Sequence, residues 1–273
     1  MTKERYLEYI DDDTWLIKES GWVKELQNIR ESQITLGNGY IGIRGVLEEI
    51  PYKSIPGTYL AGIYGKMASL VDELINLPNP FNFKFNIEGK KLGIDSTDIV
   101  YHKRILNMKK ALLVRQTLYK DIKRKRYDYQ SIRFISMHNK NIGVMQIALT
   151  PLDDDCIVEI NTGIDTSVHQ MRTVSEGERK HFRLKELGQE KNAGYLVMET
   201  LEKRHIIIFW SGFYYESGGR KIFAKDNVVS MHLKKGKTAL FYKGLLHKTL
   251  PLERGPFILL QKGNIEDIPE GIP

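Results

Sequence analysis

Phe81, Phe83, Phe85 and Ile87 alternate strictly with Asn82, Lys84 and Asn86. Only an extended chain, with its side-chain period of two, puts those four apolar groups on one face. Glu88-Gly89-Lys90 supplies a turn, and Leu92 to Ile94 begins the return. The same pattern of β-branched and aromatic runs recurs at residues 112–119, 131–137, 142–149, 156–161, 194–200, 205–210, 228–233 and 238–242. Turns such as Asp153-Asp154-Asp155 and Lys234-Lys235-Gly236-Lys237 separate several of them. Such runs read as antiparallel strands, and without long helices between them a parallel βαβ sheet is excluded. A mainly β, large antiparallel sandwich is predicted, with at most one or two short helices. The helical spacing lies in residues 66–76, where Met67, Leu70, Val71 and Leu74 precede Pro78.

The formal charge of +7 is unevenly spread. Between Tyr101 and Lys140 there are twelve Lys or Arg against Asp121 and Asp128, which leaves the rest of the chain at −3. The peak, Lys123-Arg124-Lys125-Arg126, has the composition of a polyanion-binding patch. The plainer reading sets these cations on a hairpin tip and the exposed face of its strands. No zinc-finger spacing or RNA-binding aromatic motif accompanies the cluster, so nucleic acid is disfavoured. The longest apolar run, His205 to Trp210, is far short of the roughly 20 residues of a membrane span. Residues 1–13 carry no apolar signal core, and the single Cys156 suits a reducing compartment. A cytoplasmic setting is expected.

Gly37-Asn38-Gly39-Tyr40-Ile41-Gly42 matches the dinucleotide fingerprint by letter. That chemistry needs a helix directly after the glycines, and Ile43-Arg44-Gly45 with Pro51 forbids one. The glycines are read as tight bends and close backbone approaches. The seven histidines have no ligand spacing, so no metal and no cofactor is expected. No nucleophile elbow or phosphate-cradling loop is present. Glu48 and Glu49 are adjacent carboxylates, expected to pair with Arg44 or to accept turn amides.

Residues 31–45 followed by Glu48-Glu49 resemble the N-terminal motif of glycoside hydrolase family sixty-five, which comprises maltose, kojibiose, nigerose and trehalose phosphorylases. Matching blocks follow in order at residues 57–64, 73–79, 105–108 with Arg115, 133–136 and 147–151. Trp15-Leu16-Ile17 with Glu19 fits the opening strand. The pattern departs at Asn107-Met108-Lys109-Lys110, where Asp-Met-Arg and a following glycine are expected.

This resemblance implies an N-terminal β-sandwich, or supersandwich, over residues 1–243, and leaves 244–273 as an irregular tail unlike the family's helical linker. It implies that the catalytic acid and the phosphate site lie in a separate (α/α)6 barrel, so no catalytic residue is assigned here. Gly37, Asn38, Gly39, Tyr40, Gly42, Arg44, Gly45, Glu48 and Glu49 become structural motif residues. The barrel becomes the expected partner, and a homodimer of the parent is an open expectation. A free-standing carbohydrate-binding module is the alternative, with Trp210, Tyr214 and Tyr215, next to Phe213, as candidate sugar-stacking aromatics.

Overall fold

The computed structural model describes residues 13–66, 71–170, 180–190, 193–217, 220–223 and 228–251. In chain order its strands are β1 (Leu16–Ser20), β2 (Leu36–Gly37), β3 (Ile41–Ile43), β4 (Thr58–Leu60), β5 (Tyr64–Gly65), β6 (Glu73–Leu74), β7 (Lys84–Ile87), β8 (Lys90–Leu92), β9 (Asp98–Asn107) and β10 (Leu112–Lys120). They continue with β11 (Arg126–Ile135), β12 (Ile142–Pro151), β13 (Cys156–Asn161), β14 (Phe182–Glu190), β15 (Ala193–Thr200), β16 (His205–Ser217), β17 (Arg220–Phe223), β18 (Val228–Leu233) and β19 (Ala239–Pro251). All recorded pairings are antiparallel. A ten-stranded sheet runs β1-β9-β10-β11-β12-β19-β16-β15-β14, with β17 on β16. A four-stranded sheet, β18-β13-β7-β8, covers one of its faces.

The alternating phenylalanines form the seam between the layers. Phe83 meets Phe213 of β16 edge-on at 5.5 Å, and Phe85 meets Phe241 of β19 at 5.6 Å and Tyr129 of β11 at 5.9 Å. On β13, Cys156, Val158 and Ile160 are buried while Ile157, Glu159 and Asn161 face out, the signature of a sheet solvated on one side. β12 is buried on both faces from Ile142 to Leu149, as its unbroken apolar run requires.

Two expectations are corrected. Within residues 66–76, Glu73–Leu74 pairs as a strand with Tyr64–Gly65, and Met67 and Leu70 lie outside the described residues. The sandwich does not stop at residue 243. β19 continues through Pro251 as a central strand between β12 and β16, burying Leu245 and His247 and exposing Lys248. Gly244 lies opposite Gly212 in that pairing, and Pro251 closes the strand where a missing N–H costs little. Residues 252–273 are outside the described residues.

The one short α-helix among the described residues, α1 (Gln27–Gln33), falls within the one or two expected, although apolar periodicity could not announce its place. It buries Gln27 and Glu31 and leaves Ile29 59% exposed. At the departure from the family pattern the turn still forms. The Asn107 side chain accepts the Lys110 amide at 3.0 Å, and Ala111 takes φ 53°, a conformation that favours glycine.

Truncating the seam should cost what cavity formation in a packed core costs. Phe241→Ala is expected to lower unfolding free energy by about 3–5 kcal/mol, measured as a shifted urea midpoint at unchanged slope.

Candidate functional site

The motif loop enters the core beneath the ten-stranded sheet, and guanidinium groups hold it there. Arg104 of β9 and Arg115 of β10 lie directly opposite each other, and Arg115 also faces Ser131 of β11. Arg133 follows two residues along β11, on the same inward face. All three arginines are buried, so these three depart from the expected exposed face, while Lys123, Arg124 and Arg126 are exposed at the β10–β11 tip as expected. Two cations opposite each other in a sheet repel, so the loop must deliver anions.

Glu48 and Glu49 are those anions. Glu48 accepts Arg115 Nη1 at 2.6 Å, Ser131 Oγ at 2.8 Å and Arg133 Nη2 at 2.9 Å. Glu49 accepts Arg115 Nη1 at 2.6 Å and Nη2 at 2.8 Å, the Tyr119 hydroxyl at 2.9 Å and the Ile94 amide at 3.3 Å. The Arg115 guanidinium also lies 4.6 Å from the centre of the Tyr129 ring. Arg44 is not their partner. It binds Ser32 Oγ at 2.8 Å, the Asn28 carbonyl at 3.0 Å and Glu31 at 3.5 Å. Sequence reasoning missed this because about seventy positions separate the true partners.

Arg104 binds Glu19, Gln27 Oε1 at 2.7 Å and the Gly45 carbonyl at 2.7 Å, while Arg133 reaches the Val46 carbonyl at 3.1 Å. Gly45 has no room for a side chain, since a Cβ there would stand 2.2 Å from Ile34 Cγ1 and 2.7 Å from the Ile34 carbonyl. Gly39 is needed for a different reason, its φ of 79° in the β2–β3 turn. Gly37 and Gly42 pair across that hairpin, so no helix follows the fingerprint glycines. Asn38 caps the turn by accepting the Tyr40 and Ile41 amides at 2.9 Å, and donates to the Ser136 and Lys140 carbonyls at 2.7 and 3.0 Å. Tyr40 stacks on buried His247 at 5.6 Å.

Burial alone would raise the Glu48 carboxyl, but Arg115 and Arg133 bring it down to about 2. It is an anion at every physiological pH and cannot donate a proton to a leaving group, the task that needs a raised pKa. The candidate aromatics are dispersed. Trp210 is only 9% exposed, and Tyr214 lies against Tyr242 at 4.5 Å. Tyr215 falls on the opposite, core-facing side of β16, against Phe213 at 6.4 Å. Among the described residues no group of His, Cys, Asp and Glu could hold a metal, and no helix is long and apolar enough to cross a membrane.

Glu48→Gln leaves Arg115 and Arg133 without their shared anion and is expected to cost about 3–5 kcal/mol, read by chemical denaturation. Acid should act earlier through histidine. Burial, with Arg115 and Arg104 adding to it, lowers His102 to about 3, and burial lowers His247 to about 4, both from 6.5. Neutral rings therefore stabilise the fold fully above pH 6.5. Below it the unfolded chain takes up protons that the folded one refuses, costing up to about 1.4 kcal/mol per pH unit for each ring. Glu48 adds a further loss as pH falls from 4.5 towards 2. Urea midpoints should fall steadily from pH 6.5 to 4, and His247→Phe should flatten the slope; a flat profile for the unaltered chain contradicts the assignment.

Residues 17–249 match the family model described as glycosyl hydrolase family 65, N-terminal domain. Kojibiose phosphorylase of Thermoanaerobacter brockii is 32% identical over 207 residues, 74% of this chain and 27% of that protein. Maltose phosphorylase of Bacillus subtilis is 26% identical over 70% of this chain and 26% of the relative. A solved chain assigned as a kojibiose phosphorylase from the human microbiome superposes with a TM-score of 0.74 over 87% of this chain and 33% of its own length. At 18% identity it shows the shared fold. The chain thus spans about a quarter of the curated relatives it matches. The chain belongs to glycosyl hydrolase family 65, and its matched residues are that family's N-terminal domain.

Proposed function

We propose that this chain is the non-catalytic β-sandwich layer of an α-glucoside disaccharide phosphorylase, working against an (α/α)6 catalytic barrel in the parent enzyme. The parent reaction is inverting phosphorolysis. A carboxylic acid protonates the departing glycosidic oxygen while inorganic phosphate attacks C1 from the opposite face. The C1–O bond to the second glucose breaks, a C1–O–P bond forms, and the products are β-glucose 1-phosphate and glucose. One positioned acid and one anion-holding site suffice.

The observation that carries the non-catalytic reading is the state of the motif carboxylates. Glu48 is held ionised by Arg115 and Arg133, and Glu49 is clamped by both terminal nitrogens of Arg115. Their work is to fix the loop from Gly45 to Glu49 against β9, β10 and β11. A rigid loop of that kind suits a domain that frames a neighbouring pocket and leaves the chemistry to another. The single cysteine, Cys156, is free and buried, in keeping with a cytoplasmic parent. A homodimer of that parent belongs to the same proposal.

The alternative, a free-standing carbohydrate-binding module, draws on the half-buried Tyr214–Tyr242 pair. Two stacked tyrosines of adjacent strands offer limited ring area to a sugar. Purified chain is expected to consume no phosphate with maltose, kojibiose or trehalose, and a separately produced barrel domain should acquire activity or stability on mixing. Turnover by the chain alone would falsify the proposal. Saturable maltose binding in calorimetry, lost in Tyr214→Ala, would favour the module instead.

A further inference from the structure

A cleft of about 380 Å³ opens between the β7–β8 hairpin, the β8–β9 turn and the β10–β11 tip. Its volume lies in the usual range for small-ligand sites, about 300–1,000 Å³. Buried Ile87, Leu92, Ile94 and Tyr127 supply an apolar floor. The walls differ in sign. Hairpin residues Lys90 and Lys91 and tip residues Lys120 and Lys123 bring four ammonium groups, none with a recorded carboxylate partner among the described residues. The facing turn contributes Asp95, Ser96, Thr97 and Asp98.

The remaining charges are already engaged. Asp121 accepts the amides of Lys123 and Lys125 at 2.8 Å and the Tyr127 hydroxyl at 3.3 Å. Glu88 accepts the Ile157 amide at 2.7 Å. Lys125 pairs with Asp154 at 3.1 Å, and Arg126 with Asp153 at 2.8 Å. Half of the Lys123–Arg126 peak is thus neutralised locally, which weakens the polyanion reading and leaves Lys123 turned to the cleft. Asp95 gives one oxygen to the Tyr52 amide at 2.5 Å, and Asp98 has no recorded partner. A ligand for this cleft needs an anionic end for the lysines, hydroxyls for Asp95 and Asp98, and an apolar ring face for the floor.

We propose that the cleft between the β7–β8 hairpin and the β10–β11 tip binds a phosphorylated monosaccharide. Phosphate oxygens accept from ammonium groups, and vicinal hydroxyls donate to carboxylates. The inference does not rest on the proposed function, since binding is read on this chain alone without any partner.

Isothermal titration with glucose 6-phosphate, inorganic phosphate and glucose tests it. The sugar phosphate should bind roughly tenfold more tightly than either part, and weaken as salt rises from about 50 to about 300 mM. Lys91→Glu with Lys123→Glu, both exposed and unpaired, should weaken it by at least roughly tenfold. Lys109→Glu with Lys140→Glu, both exposed and in turns at the opposite end of β10 and β11 from the tip, should change it by less than about twofold. Asp98→Asn should reduce sugar-phosphate affinity and leave phosphate affinity unchanged. Circular dichroism checks that each variant is folded. Absence of binding, equal affinity for phosphate alone or for glucose, or indifference to the Lys91 and Lys123 reversals overturns the proposal.

Discussion

Three arginines on the inner face of one sheet make a demand that the rest of the structure answers. A buried guanidinium without an anion costs several kcal/mol, and Arg104, Arg115 and Arg133 sit on adjacent strands. Glu19 of β1, together with Glu48 and Glu49, meets the demand. Because Glu48 and Glu49 come from a segment outside any strand, their ion pairs do for the motif loop what ladder hydrogen bonds do for the sheet. They also fix register. A one-residue slip of β10 against β9 would turn Arg115 outwards and leave Glu49 buried without a cation.

The same arrangement decides what the carboxylates can do. A general acid is kept protonated by a poorly solvated site with few cations. Glu48 lives under the opposite rule, with two guanidinium groups and a serine hydroxyl converging on it. Geometry that stabilises the anion this strongly removes proton donation from its repertoire. Adjacent glutamates in a glycine-rich motif invite a catalytic reading in a bare sequence, and their burial among arginines is the observation behind the structural role proposed for them.

Strands were legible in the sequence wherever one face is buried and the other solvated. Phe81 to Ile87 and Cys156 to Asn161 show the period of two directly, and β12 shows itself as an apolar run flanked by turns. Features that depend on distant polar partners were not legible. α1 escapes because Gln27 and Glu31 face inwards to Arg104 and to Ser54, so its buried stripe is polar. The pattern at residues 66–76 misleads because so short a segment fits a helical period by chance, whereas Tyr64–Gly65 and Glu73–Leu74 pair. The last turns of β19 were masked by the Gly244 and Pro251 that flank them. Of the candidate site, the glycine-rich motif was visible as a unit, but the choice of Arg115 over Arg44 depended on contacts between remote strands.

Polar side chains also hold the connections outside the strands. Lys243, fully buried on β19, donates to the Asn82 carbonyl at 3.0 Å and to the Thr162 carbonyl, joining the chain before β7 to the chain after β13. Asn76 binds the Pro56 and His169 carbonyls at 2.9 and 2.8 Å and accepts the Thr58 amide at 3.0 Å. Irregular backbone can enter a core only if its amides and carbonyls find partners there. Burial pushes the Lys243 ammonium down to about 7, which is the desolvation cost of placing a charged donor among those carbonyls. Lysine reaches several carbonyls from one point without needing an anion, whereas the arginine row needs carboxylates because planar forks held side by side repel. One cation type therefore ties loops together and the other seats the family motif, and both leave the lysines at the β10–β11 tip as the accessible positive charge next to a cleft.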